Sequence, residues 1–169
     1  MYDRCRLAFV ALAPLIFASA YAAEFAKTTT ADADFVRRAS SAGLTEVALG
    51  KLAAEQASSD SVKKFAARMV EDHSKSNEAL GKLAGGKGLQ LAVAPEPAQQ
   101  QEIDRLKDLD GAKFDRAYSD AMVKDHKLAT GLYQLEAEKG EDTEIRDWAK
   151  SQLPVLKEHE KLADDLPPF

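Results

Sequence analysis

A five-residue phrase occurs twice in this chain, Met69-Val70-Glu71-Asp72-His73 and Met122-Val123-Lys124-Asp125-His126. Each copy lies in a long stretch whose apolar residues recur at helical spacing, and each histidine falls on or beside the apolar stripe. The chain has 3 histidines, and the third, His159, also falls on an apolar stripe. A chain that turns all its imidazoles toward its core holds either a buried hydrogen-bond network or a metal ion.

The periodicity predicts an all-α, ferritin-like four-helix bundle with a long connection in its middle. A first helix spans about Ala31 to Ala57, with Phe35, Ala39, Ala42, Leu49 and Ala53 on one stripe and Glu46 among them. Ser58-Ser59-Asp60 supplies residues suited to cap a second helix, whose stripe runs from Val62 through Phe65, Met69 and His73 to Leu80 and Ala84. Gly85-Gly86-Lys87-Gly88 stops it. A linker with Pro95 and Pro97 leads to a short helical piece, Gln99 to Leu109. Asp110-Gly111 opens a third long helix reaching Lys139, and Asp142 caps a fourth with Ile145, Trp148, Ala149, Val155, His159 and Leu162 on its stripe. Pro154 lies within that helix and should kink it. Two tight hairpins joined by a long connection give the bundle, by crossover or as an up-down arrangement with a decorated loop.

Residues 1–22 read as a secretory signal peptide: Arg4 and Arg6, an apolar run from Leu7 to Phe17, then Ala20-Tyr21-Ala22. The run is short for a membrane span. The expected mature chain, residues 23–169, is one periplasmic or secreted domain with no membrane span. Cleavage removes Arg4, Arg6 and Asp3 from totals of 23 basic and 28 acidic residues, leaving a formal charge of −6. It also removes Cys5, the only cysteine, so no disulfide can staple the fold. The acidic balance and the lack of a basic patch argue against nucleic acid as a partner. They give no support to association with an envelope lipid surface.

Within the repeated phrase, methionine stands one helical turn before histidine and shares its face. The aspartate beside each histidine points about 100° away, toward a neighbouring helix instead of into the same site. Counting rise along the helices places Glu46 and His73 at a similar depth, ~18–22 Å from the Ser58 turn. The same count from Gly140 offsets His126 and His159 by ~7 Å. Glu46, His73 and His126 therefore form the best-matched ligand set, with His159 a further member. Met69 and Met122 would be soft donors suited to copper(I), and Asp72 and Asp125 outer partners of the ligands. Copper or zinc is favoured over iron. The competing reading makes the same residues a hydrogen-bond network that sets helix register, with methionine as core filler.

Catalytic templates are missing. No glycine-rich phosphate loop follows a strand, no G-x-S-x-G elbow occurs, and the mature chain has no thiol nucleophile. A di-iron bundle site requires Glu-x-x-His, but the residues three before the histidines are Val70, Val123 and Leu156. The expectation is a non-enzymatic binding or stress-related accessory protein. The alternative is a structural or protein-interaction module.

The phrases F-A-x-x-M-V-x-D-H (Phe65 to His73), M-V-x-D-H (Met122 to His126) and L-P-x-L-x-x-H (Leu153 to His159) together resemble the bacterial domain of unknown function 4142 family. The likeness covers about Asp34 to Leu166. It implies a secreted or periplasmic ferritin-like bundle without an established activity. The family's residue pattern maps onto Glu46, Asp72, His73, Asp125, His126 and His159.

Overall fold

A computed structural model describes residues 28–168; the expected signal segment, residues 1–22, lies outside them. Among the described residues there are five helices and no strand: α1 (Thr30–Gln56), α2 (Asp60–Lys87), α3 (Pro97–Lys107), α4 (Gly111–Lys139) and α5 (Thr143–Asp164). None is long and apolar enough to cross a membrane.

Each boundary has a local cause. At the start of α1, Thr29 and Asp32 form a reciprocal capping box: the Asp32 N–H donates to Thr29 Oγ1 at 3.2 Å, and the Thr29 N–H donates to Asp32 Oδ2 at 2.7 Å. Asp142 accepts from the Glu144 and Ile145 N–H groups and caps α5 as expected. α2 runs through Gly85 and Gly86 and ends at Gly88, whose φ of 67° is the left-handed conformation that glycine adopts freely. Ser59 occupies the N-cap position of α2 without using its side chain as a cap. Asp115 of α4 reaches across instead and accepts from the Ser58 and Ser59 N–H groups at 3.1 and 2.9 Å. A buried carboxylate thus ties the α1–α2 turn to α4. α5 remains helical through Pro154.

The helices form two hairpins, α1 with α2 and α4 with α5, and α1 also packs on α4 and α2 on α5. Lys87 at the end of α2 meets Asp142 at the start of α5 at 2.9 Å, and Thr28 donates to the same carboxylate. Gln56 at the far end of α1 donates to the carbonyl of Lys107, next to the start of α4. Residues 88–110 therefore travel the length of the bundle before α4 begins, which makes the connection a crossover. Ser40 and Ser41 of α1 hold it there, accepting from the Ala92 and Glu96 N–H groups at 2.8 Å each.

The core has two apolar clusters. One contains Leu49, Phe65, Met69, Phe114, Tyr118 and Met122; the other contains Phe35, Leu80, Tyr133, Ile145 and Leu156. Phe35 packs edge-on against Tyr133 and Trp148, and Phe114 stacks on Tyr118. Trp148, Tyr118 and Tyr133 are thus core aromatics. The histidines belong to neither apolar cluster.

Candidate metal centre

His73 on α2, His126 on α4 and His159 on α5 meet inside the bundle. They are 9%, 1% and 1% exposed. Their ring centroids are 5.5 Å apart for His73–His126 and 5.3 Å for each of the other two pairs. One ring nitrogen from each lies within 4.8 Å of the other two. Three helices, each with histidine on its buried stripe, bring three imidazoles together although they lie far apart in sequence.

The hydrogen bonds set two of the tautomers. His126 Nδ1 lies 2.8 Å from the carbonyl oxygen of Met122. A carbonyl only accepts, so Nδ1 carries the proton and Nε2 presents a lone pair. His159 Nε2 lies 3.0 Å from Asp72 Oδ2. Burial raises the Asp72 carboxyl, but hydrogen bonds from His159 and Arg68 outweigh it and hold the group below its usual range, as an acceptor. His159 Nε2 therefore donates and leaves Nδ1 as a lone pair, buried and without a hydrogen-bond partner. His73 Nε2 faces His126 Nε2 at 3.4 Å, longer than an ordinary N–H···N contact. The centre thus concentrates lone pairs with few protons to share between them.

Burial keeps these imidazoles neutral. His73 is pushed down to about 3 by desolvation, with His126 and His159 adding repulsion. His126 and His159 are also lowered, burial outweighing the raising effects of the Met122 carbonyl and of Asp72. Deprotonated nitrogen is the form that binds metal.

On the α2–α5 side the centre is covered. Arg68 bridges Asp72 at 3.2 Å and Glu158 at 3.0 Å, and Ser76 donates to Gln152 at 3.0 Å one turn further along. On the opposite side, between α1, α3 and α4, a cavity of about 550 Å³ reaches His73 and His126 and is also lined by Glu46, Glu102 and Asp125. Glu46 is 5% exposed and pushed up to about 8 by burial, with Glu102 adding repulsion. Asp125 is raised to about 7 by burial and by Glu46 and Glu102.

Of the residues singled out in the sequence, the three histidines converge, and Asp72 reaches the histidine of an adjacent helix. Glu46 lines the same cavity as His73 and His126, among carboxyl groups. Asp125 faces that cavity as well. The Met69 and Met122 side chains pack in the apolar cluster with Leu49 and Phe65, and Met122 meets His126 through its main-chain carbonyl. The anticipated offset of His159 was too large because residues 140–142 are not helical and add no helical rise. Counted from Lys139 and Thr143, the difference is about 4.5 Å, within side-chain reach. Three contributors went unnoticed in the sequence. Arg68 and Glu158 look like ordinary surface charges, and Glu102 lies on the short α3 helix, where only the path of the crossover brings it to the site.

The fold and this centre define a class: an all-α crossover bundle with a buried tri-imidazole cluster. The sequence matches the family described as a domain of unknown function (DUF4142) over residues 18–166, and the chain belongs to that family. No curated protein matches it. Among solved structures it is similar to a DUF305 fragment from Deinococcus radiodurans, with 13% identity, 81% of this chain and 95% of that chain covered, and a TM-score of 0.72. It is also similar to a putative secreted DUF305 protein from Streptomyces coelicolor, with 16% identity, 80% and 89% covered, and a TM-score of 0.68. At these identities the likeness extends to the fold alone.

Proposed function

We propose that this protein is an exported, non-catalytic accessory protein that binds one transition metal ion through His73, His126 and His159. The observation that carries the reading is the unpartnered, buried Nδ1 of His159, on a ring whose centroid is 5.3 Å from those of both His73 and His126. A register-setting network would close its hydrogen bonds, because a buried acceptor left without a donor costs about 1–3 kcal/mol. A cation shared by the three nitrogens would satisfy all of them together. Three imidazoles suit zinc or copper better than iron, and a fourth position facing the cavity would remain for water or another donor. Export rests on the N-terminal basic and apolar segment, and its test is the N-terminal sequence of protein recovered from the envelope fraction.

The competing structural reading makes a different prediction about His126→Leu. The Met122 carbonyl already has its place in the α4 helix, so removing the imidazole strands no backbone group. On that reading the variant should fold with unchanged or higher stability, and no metal should raise the melting temperature of the parent. Purified protein equilibrated separately with zinc, copper and cobalt should hold one ion per chain and melt at a higher temperature. At a hundredfold excess over the dissociation constant the stabilisation is about 2.7 kcal/mol. Absence of stoichiometric binding, or equal binding by a His73→Ala, His126→Ala double variant, would rule out the metal reading.

A further inference from the structure

The metal reading leaves open how an ion reaches nitrogens that are almost wholly buried. We infer that the cavity between α1, α3 and α4 is the loading path, and that Glu46, Glu102 and Asp125 form a carboxylate staging site for the incoming divalent cation. The inference rests on the tri-histidine reading and adds a second, transient site to it.

Geometry selects this side. His73 and His126 line the cavity, whereas the α2–α5 side is covered by the Arg68–Asp72 and Arg68–Glu158 pairs. The three carboxyl groups come from three helices: Glu46 from α1, Glu102 from α3 and Asp125 from α4. Glu46 Oε2 is buried and makes no hydrogen bond, so it offers a free donor on the wall of a solvent-reachable space. A cationic group already rests against the cluster. The Lys124 ammonium is 3.1 Å from Glu102 Oε1 and 3.7 Å from Asp125 Oδ1. Its side chain is 60% exposed and tethered by a flexible stem, so it can swing aside. Oxygen donors bind borderline divalent ions more weakly than imidazole does. That order passes an ion inward from the carboxylates to the nitrogens.

A staging site changes rates more than equilibrium. The test follows cobalt(II) binding to the full protein by rapid mixing, with visible absorbance reporting the nitrogen-bound ion. At pH 8.5, above the value of about 8 to which burial pushes Glu46, Glu46→Gln with Glu102→Gln should slow loading at low ionic strength by at least about tenfold, the lower end of electrostatic effects on association. Release should slow in proportion, and the dissociation constant should stay close to that of the parent. Lys124→Gln removes the competing cation and should speed loading. Glu71→Gln, on the exposed face of α2, should change neither rate. If the double variant loads at the parent rate, the staging site is refuted. It is equally refuted if the double variant loses affinity wholly through faster release, because Glu46 would then be a ligand of the final site. If the parent binds no cobalt, the tri-histidine reading itself falls and takes this path with it. Binding by the parent with unaltered rates in every variant overturns the path alone.

Discussion

Asp72 offers a sharp test because its two partners arrive at one atom. The His159 Nε2–H donates to Oδ2 at 3.0 Å, and the Arg68 Nε–H donates to the same oxygen at 3.2 Å. Arginine can only donate, so in Asp72→Asn the amide oxygen must take the Oδ2 position and the –NH₂ the other. The asparagine then still accepts from His159 and keeps Nδ1 free for a metal, but the bond is no longer charge-assisted. Hydrogen bonds to charged groups contribute about 1.5–3 kcal/mol and neutral ones about 0.5–1.5 kcal/mol, so the loss is about 1–1.5 kcal/mol. The bond is present with and without metal, so only the part that strengthens when Nδ1 gives its lone pair to a cation enters the affinity. The loss of affinity should lie at or below the lower, roughly tenfold, end of the ~10–100-fold range for residues supporting metal ligands. Asp72→Ala removes the acceptor altogether and frees the ring to rotate or change tautomer. The loss should then approach the upper end of the ~10–100-fold range for residues supporting metal ligands. Competition of each variant against a chromophoric zinc chelator gives the dissociation constants, and melting curves without metal confirm that the fold persists. Equal affinity in both variants and the parent would mean that His159 is not a ligand. A greater loss in Asp72→Asn than in Asp72→Ala would mean that the amide flips despite Arg68, and the tautomer argument would fail.

The remaining predictions concern the scaffold. A Cβ at Gly50 would sit 2.7 Å from Val70 Cγ2 and 3.0 Å from the Ala66 carbonyl, a backbone atom of α2 that cannot move away freely. Gly50→Ala should therefore destabilise the protein by about 1–3 kcal/mol through overpacking. Gly131→Ala, which meets nothing within 4 Å, should stabilise it by about 0.5–1 kcal/mol; chemical denaturation of both variants checks the contrast, and like signs would refute the close α1–α2 approach. Glu136, buried beside Asp32 and Asp142, is pushed up from 4.5 to about 7, by burial first and by Asp32 next. Its proton is held more tightly in the folded state, so its contribution to stability is full below pH 4.5, declines as pH rises to about 7, and is constant above that. Glu136→Gln lacks this decline, and its melting temperature should gain on the parent's between pH 5 and pH 8. Parallel curves would show that Glu136 is ordinary.

The helices and their inward-facing histidines were legible because both depend on short-range periodicity. Phe65, Met69 and His73 share a stripe whatever lies opposite them, and Asp142 caps α5 with its own neighbours. The site's chemistry was less accessible because it depends on what lies across the seam. Nothing near Asp115 in sequence says that it will cap the turn at Ser58, and nothing near Glu102 says that it will face Asp125. The main-chain contact of Met122 was hidden for a related reason. Its thioether shares a face with His126, but a helical histidine can turn back to the carbonyl four residues earlier, and that contact leaves the sulfur in the apolar cluster. The tautomers required both an acceptor and its charge to be known, which only the assembled helices supply.

The repeated Asp-His pair shows how one local phrase acquires two roles. The repeated phrase sets up a correspondence of α2 with α4, which pack on α5 and α1 respectively. His73 and His126 are equivalent under it, and each points into the centre. Asp72 and Asp125 are also equivalent, each turned about 100° from its histidine toward the neighbouring helix. Asp72 meets His159 there, a donor that lowers the carboxyl and is itself oriented by it. On the α1 side the facing group is Glu46, a second acid, so Asp125 is raised instead and has no imidazole to orient. The near-symmetry is broken by histidine on α5 against glutamate on α1, and by Arg68 on α2 where α4 has Ala121. The α2–α5 side carries the Arg68 ion pairs as a cover, and the α1–α4 side, where α3 also borders it, is an acidic cavity.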